Sequence, residues 1–340
     1  MYTALFMLLT SLWSSAESTV DLDGFLKLVT TQNIELKSEA LKLRGAEEGV
    51  RLSIPAPMVG YVQMQGTSGG ETAKGFEISQ TLPFPTKTTA EFSEKKNLEK
   101  AQRVSKLAKE AEVLAIAKVL YFSIWAQQER VALMRERISQ LENHIRLARS
   151  TARSDSFASI HLLKAEGDLD ILQAEKLNSE QILRSKKREA ALFIGEDSES
   201  FKYTVVEPVL SKIPEIQLTE STPQIKSMDY TLAALKSSQT VADAEILPEL
   251  SLRYREIGST AMQQGSREIM LGISLPFIFF GGPAAKIEQA KVASLQYENE
   301  LNQKKIEVTN SLRTNQDLAK TILAQLQILV EKVVPRVEKR

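Results

Sequence analysis

Two short stretches of the chain alternate apolar with polar residues, and each leads into a long stretch whose apolar residues step by threes and fours. In the first, Phe76, Ile78 and Leu82 alternate with Glu77, Ser79 and Thr81; in the second, Ile269, Leu271 and Ile273 alternate with Glu268, Met270 and Gly272. Just upstream of the second, Leu250, Leu252 and Tyr254 alternate with Ser251, Arg253 and Arg255. Period two predicts strands with one apolar and one polar face. Each half of the chain is thus expected to carry two strands of about ten residues, the length a tilted strand needs to cross a bilayer. The loops between them, Gly66 to Gly70 and Gly258 to Gly265, are rich in glycine or polar residues.

The longer stretches have the period of packed helices. Residues 88–153 contain neither Pro nor Gly, which at ~1.5 Å rise per residue predicts a helical rod of roughly 100 Å. Along it Val131, Met134, Ile138, Leu141, Ile145 and Ala148 form one seam. In the second half Val308, Leu312, Ala319, Ile322, Leu326, Leu329 and Val333 form another, with Asn315 as its polar exception. A seam on one face requires a lateral partner.

The two halves share one spacing. Pro55 and Pro248 are 193 residues apart, as are Tyr61 and Tyr254, and Leu82-Pro83-Phe84 recurs at the same interval as Leu275-Pro276-Phe277. Separated blocks at one spacing mark an internal repeat. Prolines punctuate it: Pro55, Pro57, Pro83 and Pro85 in the first copy, Pro248, Pro276 and Pro283 in the second, Pro208, Pro214 and Pro223 between them. Pro335 alone falls in a stretch that otherwise reads as helix.

Composition narrows the function. The chain has 340 residues, with 43 basic residues balancing 43 acidic ones, so it lacks the basic excess of a nucleic-acid binder. It has no Cys, which excludes disulfides, thiol chemistry and a lipid anchor on cysteine. His144 and His161 are the two imidazoles, and His161 reads as a solvated or packed residue rather than a ligand. No phosphate loop, nucleophile elbow or HExxH motif is present, and Gly281-Gly282 reads as a plain turn. No enzyme activity, cofactor or metal site is expected. Residues 4–12 form a short apolar run followed by Ser14-Ser15-Ala16, which predicts a secretory signal over residues 1–16.

An exported protein with four amphipathic strands meets a closure problem. An open sheet in lipid leaves its edges unpaired, and the smallest membrane barrels need about eight strands. Three chains pooling their strands would reach twelve, and would pool their long helices as well.

At this point the ordered set of segments resembles the TolC-like outer-membrane efflux proteins, over about Asp21 to Arg340. The resemblance rests on two repeats of helix, strand, strand and long helix, and on the strand-to-helix turns Thr81-Leu82-Pro83-Phe84-Pro85-Thr86-Lys87 and Ser274-Leu275-Pro276-Phe277 through Gly282. Ile246-Leu247-Pro248 resembles the family's lead into a strand, and Lys87-Thr88-Thr89-Ala90 is most similar to its heavy-metal resistance-nodulation-division branch. The resemblance implies a mainly α fold with a small β part: a homotrimer with a 12-stranded barrel in the outer membrane and a helical barrel in the periplasm. It implies an adaptor and an inner-membrane pump as partners, and a passive exit duct for metal ions or small toxic compounds. A type-I protein-secretion duct, or a non-conducting periplasmic coiled-coil scaffold, are the alternatives.

In this frame Phe76, Ile78, Ile269, Leu271 and Ile273 would face lipid, and Leu82, Pro83, Phe84, Leu275, Pro276 and Phe277 would form the strand–helix turns. Ser154, Asp155 and Ser156 would mark the periplasmic tip where an adaptor docks. These three residues also read as helix N-caps at a turn, while an acidic ring at Asp155 would favour cations. The tip departs from the family pattern near Asp155 and Ala158. The organisation expected is a signal over 1–16, a first repeat over 17–200, a connector over 201–223 and a second repeat over 224–340. With the first copy ending near Gly195, the 193-residue spacing predicts that the second stops short of its own tip and returning helix. The helix from about Ala284 is then expected to expose its apolar seam.

Overall fold

The computed structural model describes residues 19–52, 54–64, 72–151, 156–197, 201, 203–209, 222–259, 264–274 and 281–335. The signal segment, Ser154, Asp155, Leu275, Pro276 and Phe277 lie outside the described residues. The elements run β1 (Thr19–Val20), α1 (Leu22–Gln32), α2 (Ile34–Gly49), β2 (Met58–Met64), β3 (Ala73–Leu82), α3 (Pro85–Thr151), α4 (Ser156–Ile194), β4 (Thr204–Val205), α5 (Pro223–Ala244), β5 (Leu250–Ile257), β6 (Ser266–Ile273) and α6 (Gly281–Ile328). A π-helical turn, Leu329–Val333, follows α6. The order α2-β2-β3-α3 recurs as α5-β5-β6-α6, with β2 and β5 aligned at the 193-residue spacing.

The chain folds as two compact units, residues 1–38 with 109–213, and 39–108 with 214–340. In the first unit the C-terminal part of α3 pairs antiparallel with α4: Arg149 bridges to Glu166 at 2.8 Å, and Gln127 donates to Ser179 O at 3.0 Å. The predicted seam lies in this pairing, with Val131, Met134 and Ile145 buried and Ile138, Leu141 and Ala148 half-buried. Ala117, Ala190 and Ala191 are fully covered, so the core stays thin between Tyr121 and Ile124 on α3 and Ile194 on α4. Phe25 of α1 stacks against Tyr121 at 5.8 Å and meets Phe201 edge-on at 6.1 Å.

Helix ends in this unit are closed by specific residues. Asp21 caps α1 by accepting from Gly24 N at 2.9 Å. Asn33 does three jobs at once: its N–H donates to Val29 O, its Oδ1 accepts from Leu36 N at 3.1 Å, and its Nδ2 donates to Phe193 O at 2.7 Å. It therefore ends α1, starts α2 and satisfies one of the orphan carbonyls of α4. Gly195, at φ +86°, ends α4 with Glu196 N donating to Ala191 O and Gly195 N to Leu192 O. That pairing needs a left-handed residue, which glycine supplies without steric cost.

The connector holds a feature that hydrophobic patterning does not announce. β4 pairs in parallel with β1, Thr19 with Thr204 and Val20 with Val205. Two residues are too short to alternate. Val206 O and Val20 O lie 2.8 and 3.1 Å from the Tyr121 hydroxyl, which ties both strands to α3.

In the second unit α5 packs antiparallel on α6 through Ile225, Leu232 and Leu301, with Lys286 bridging to Glu245 at 2.9 Å. Ser227 donates to Ala101 O at 2.9 Å, which fixes α5 against the N-terminal part of α3. Contrary to the sequence reading, Gly281 and Gly282 are the first residues of α6 rather than a turn. First-turn N–H groups have no intrahelical partner, so Pro283 is tolerated there. Pro335 accounts for the π-helical turn: a proline has no N–H for the carbonyl four residues back and cannot continue an α-helical ladder, and the preceding turn widens, where Val334 N donates to Leu329 O. Every residue from 320 to 335 is exposed, so Ile322, Leu326, Leu329 and Val333 present the expected uncovered seam. Among the described residues no helix is long and apolar enough to cross a membrane.

Asn33→Ala is expected to destabilise the first unit by roughly 1–3 kcal/mol, because it leaves buried backbone groups of two helix ends unpaired. Chemical denaturation followed by far-UV circular dichroism checks this, and an unchanged midpoint would show the two side-chain bonds contribute nothing net.

Candidate functional site

The four longer strands form one antiparallel sheet in the order β2-β3-β5-β6, so β3–β5 pairing joins the two repeats. Their lengths are 7, 10, 8 and 8 residues, so only β3 reaches the ten expected from patterning. Alternation marks which residues suit a strand; hydrogen-bonded register decides how many are paired. Glu249 and Ser274 bracket β5 and β6: Ser274 N donates to Glu249 O at 2.9 Å, and Glu249 N donates to Ser274 Oγ at 3.1 Å.

Directly opposed residues of antiparallel strands share a face. Register places Val59, Ile78, Tyr254 and Ile269 in one row, Leu252 beside Leu271, and Leu82, Leu250 and Ile273 in another. Phe76 and Tyr61 add a row toward the ends of the strands at Met64 and Ala73. The five apolar residues singled out by sequence therefore lie on one face, and none of the described residues covers it: Ile269 is 76% exposed and Leu271 73%. An Ile or Leu side chain left in water forgoes roughly 1.5–3 kcal/mol of burial, so a face carrying Ile78, Leu82, Leu250, Leu252, Ile269, Leu271 and Ile273 calls for an apolar environment from outside the described residues.

One end of this face is aromatic. Tyr61 opposes Phe76, and the Phe76 and Tyr254 rings lie 5.9 Å apart. The Tyr254 hydroxyl donates to Glu256 at 2.9 Å, and Arg267 bridges to the same carboxylate at 3.0 Å. The row thus runs from apolar rings to charge within two residues of each strand.

The opposite face holds an ion-pair cluster. Glu77 Oε1 lies 3.1 Å from Arg253 Nε, and its Oε2 accepts from Arg255 at 2.8 and 3.0 Å. Arg255 also lies 3.9 Å from Glu268. Sequence reasoning placed Glu77 and Glu268 on this face but missed the arginine clamp. Its partners are 178 residues apart and meet only through the β3–β5 register. The face is not uniformly polar, since Met58, Val62, Met64, Ile257 and Met270 share it. β2 and β6 are the outer strands, and among the described residues their outer edges pair with nothing.

The first strand–helix turn is built as its prolines suggest. Leu82 ends β3, Pro83 and Phe84 turn, and Pro85 opens α3, whose Lys87 and Thr88 N–H groups donate to Phe84 O. Lys87 also bridges to Glu249 at 3.2 Å, tying this turn to the start of β5. In the first unit α3 ends at Thr151 and Ser156 opens α4, so the sequence-predicted tip lies between two antiparallel helices. His144 and His161 both line a groove of about 580 Å³ there with Asp168 and Lys164. No group of three metal-ligating side chains occurs among the described residues. Further along this helix pair, hydrogen bonding from Arg135 holds the Glu180 carboxyl below its ordinary range.

The sequence matches no protein-family model and no curated protein. Solved structures do match. The outer membrane protein VceC of Vibrio cholerae superposes with a TM-score of 0.77 at 12% identity, over 94% of this chain and 83% of that one. CusC, whose structures concern folding and transmembrane channel formation, gives 0.71 at 16%, over 94% and 82%. The CmeC outer membrane channel of Campylobacter jejuni gives 0.72 at 15%, over 94% and 75%. The chain has the TolC-like fold that these outer-membrane proteins share, mostly helical with a small sheet.

Gly75 tests the β3–β5 register. A Cβ there would sit 2.0 Å from Glu256 O, so Gly75→Ala cannot keep the ladder. Hydrogen exchange at residues 250–257 should lose protection in that variant, while the helices of the first unit keep theirs.

Proposed function

We propose that this chain is one protomer of a homotrimeric outer-membrane exit duct, the passive outer segment of a tripartite efflux system. The observation that carries the reading is the open four-stranded sheet, with an exposed apolar face on one side, an ion-pair cluster on the other and, among the described residues, no partner at either edge. In hydrocarbon each unpaired edge group costs several kcal/mol, so a sheet in a membrane must close. Three copies make twelve strands, within the range of membrane barrels. Phe76, Ile78, Ile269, Leu271 and Ile273 then face lipid, the aromatic end carrying Tyr61, Phe76 and Tyr254 sits at one interface, and Glu77, Arg253, Arg255 and Glu268 face the lumen.

The same closure gathers the helices in the periplasm, where uncovered seams find partners in neighbouring copies. Residues 1–16 act as the export signal, 17–200 and 224–340 as the two repeats, and 201–223 as their connector. Ser154, Asp155 and Ser156 form the tip that meets an adaptor, and an inner-membrane pump drives passage of small toxic compounds or metal ions. The Leu82-Pro83-Phe84 and Leu275-Pro276-Phe277 turns mark where strand gives way to helix. A duct of this kind does no chemistry of its own.

Planar-bilayer recording on the folded full-length chain tests the reading: discrete conductance steps are expected, and folded trimers that never conduct would overturn it. Ile269→Arg and Leu271→Arg should each oppose insertion by roughly 2–4 kcal/mol if these residues lie near mid-bilayer. In a deletion strain, unchanged tolerance of metals and drugs together with loss of a secreted protein would reassign the duct to protein secretion.

A further inference from the structure

We infer that Glu77, Arg253, Arg255 and Glu268 form a charge-balanced belt, which keeps the strand-borne part of the lumen from sorting cargo by charge. This rests on the duct reading above and assigns a specificity role to four residues of the same sheet. Register alone brings them together: Glu77 opposes Arg255, Arg255 opposes Glu268, and Arg253 lies one row away beside Ser79. Each oxygen of Glu77 has its own arginine, at 3.1 Å from Arg253 and 2.8 Å from Arg255. Arg255 then faces Glu268 at 3.9 Å.

The sum is two arginines against two carboxylates. Among the described strand residues no other Asp, Glu, Lys or Arg shares the face, since Lys74, Glu256 and Arg267 lie on the apolar side. The side chains that remain most open are one of each sign, Arg253 at 44% and Glu268 at 46%, while Glu77 and Arg255 are largely covered. Pores that sort ions by charge present rings of one sign. Here every copy contributes both signs, so threefold repetition multiplies zero. Partners within 3.9 Å are far closer than the ~10 Å Debye length at 0.1 M salt, so a passing ion meets their near-cancelled field. The strand region therefore suits small solutes of either charge, not metal cations alone.

The test is the potassium-to-chloride permeability ratio of single channels in a KCl gradient, read as a change from wild type so that charges elsewhere in the duct drop out. E268Q leaves the Glu77 clamp intact and should shift the ratio several-fold toward chloride. R255Q should shift it toward potassium, and R253Q carries the same sign should R255Q not assemble. The double variant R255Q/E268Q is neutral again and should return to the wild-type ratio. Conducting E268Q and R253Q channels with the wild-type ratio would overturn the belt while leaving the duct standing, as would a double variant whose shifts do not cancel. Absence of conductance from the wild-type chain would remove the duct itself and the belt with it.

Discussion

A four-stranded antiparallel sheet that, among the described residues, keeps one apolar face bare and both edges unpaired is an incomplete object, and the rest of this protein is arranged around that incompleteness. The backbone groups on the outer sides of β2 and β6 need partners, and the rows from Leu82 to Tyr61 need an apolar neighbour. Nothing among the described residues supplies either. Both demands are met at once when copies of the sheet join edge to edge with their apolar faces outward in lipid. The helices that enter and leave the strands are then held side by side, which is what a one-sided apolar seam requires.

The two faces of the sheet are stabilised differently. On the apolar side the rows grade from aliphatic at Leu82, Leu250 and Ile273 to aromatic at Tyr61, Phe76 and Tyr254, with Gln80 interrupting the row of Leu252 and Leu271 and Glu256 and Arg267 completing the row of Tyr61 and Phe76. Across the sheet, Glu77 holds two arginines in place. A carboxylate between two guanidinium groups is charge-assisted on both oxygens, so the cluster braces β3 against β5 while setting the charge of that surface. The first unit is braced by end-capping: Asn33 and Gly195 close three helix ends next to the Phe25–Tyr121–Phe201 cluster.

Much of this architecture is written in local pattern. Strands alternate with period two and helices with seams of three and four, so Phe76, Ile78, Ile269, Leu271, Ile273 and the Val131-to-Ala148 seam are assignable residue by residue. The 193-residue spacing reports the repeat, and Pro83-Phe84-Pro85 fixes where β3 yields to α3, because proline cannot continue a strand ladder yet suits the first turn of a helix. These signals are legible because they depend on neighbours a few residues apart.

Everything that depended on distant pairing had to come from the tertiary structure. The choice of β5 rather than β6 to pair with the second side of β3, the meeting of Glu77 with Arg253 and with Arg255, 178 residues away, the β1–β4 bridge and the capping of α4 by Asn33 leave no trace in local periodicity. The same holds for strand length, since alternation continues wherever side chains alternate while a strand ends where its partner's hydrogen bonds end. Sequence determined which residues suit strand or helix and which face each presents. Only the folded chain decided which strand meets which, because register is a property of two segments and is carried by neither alone.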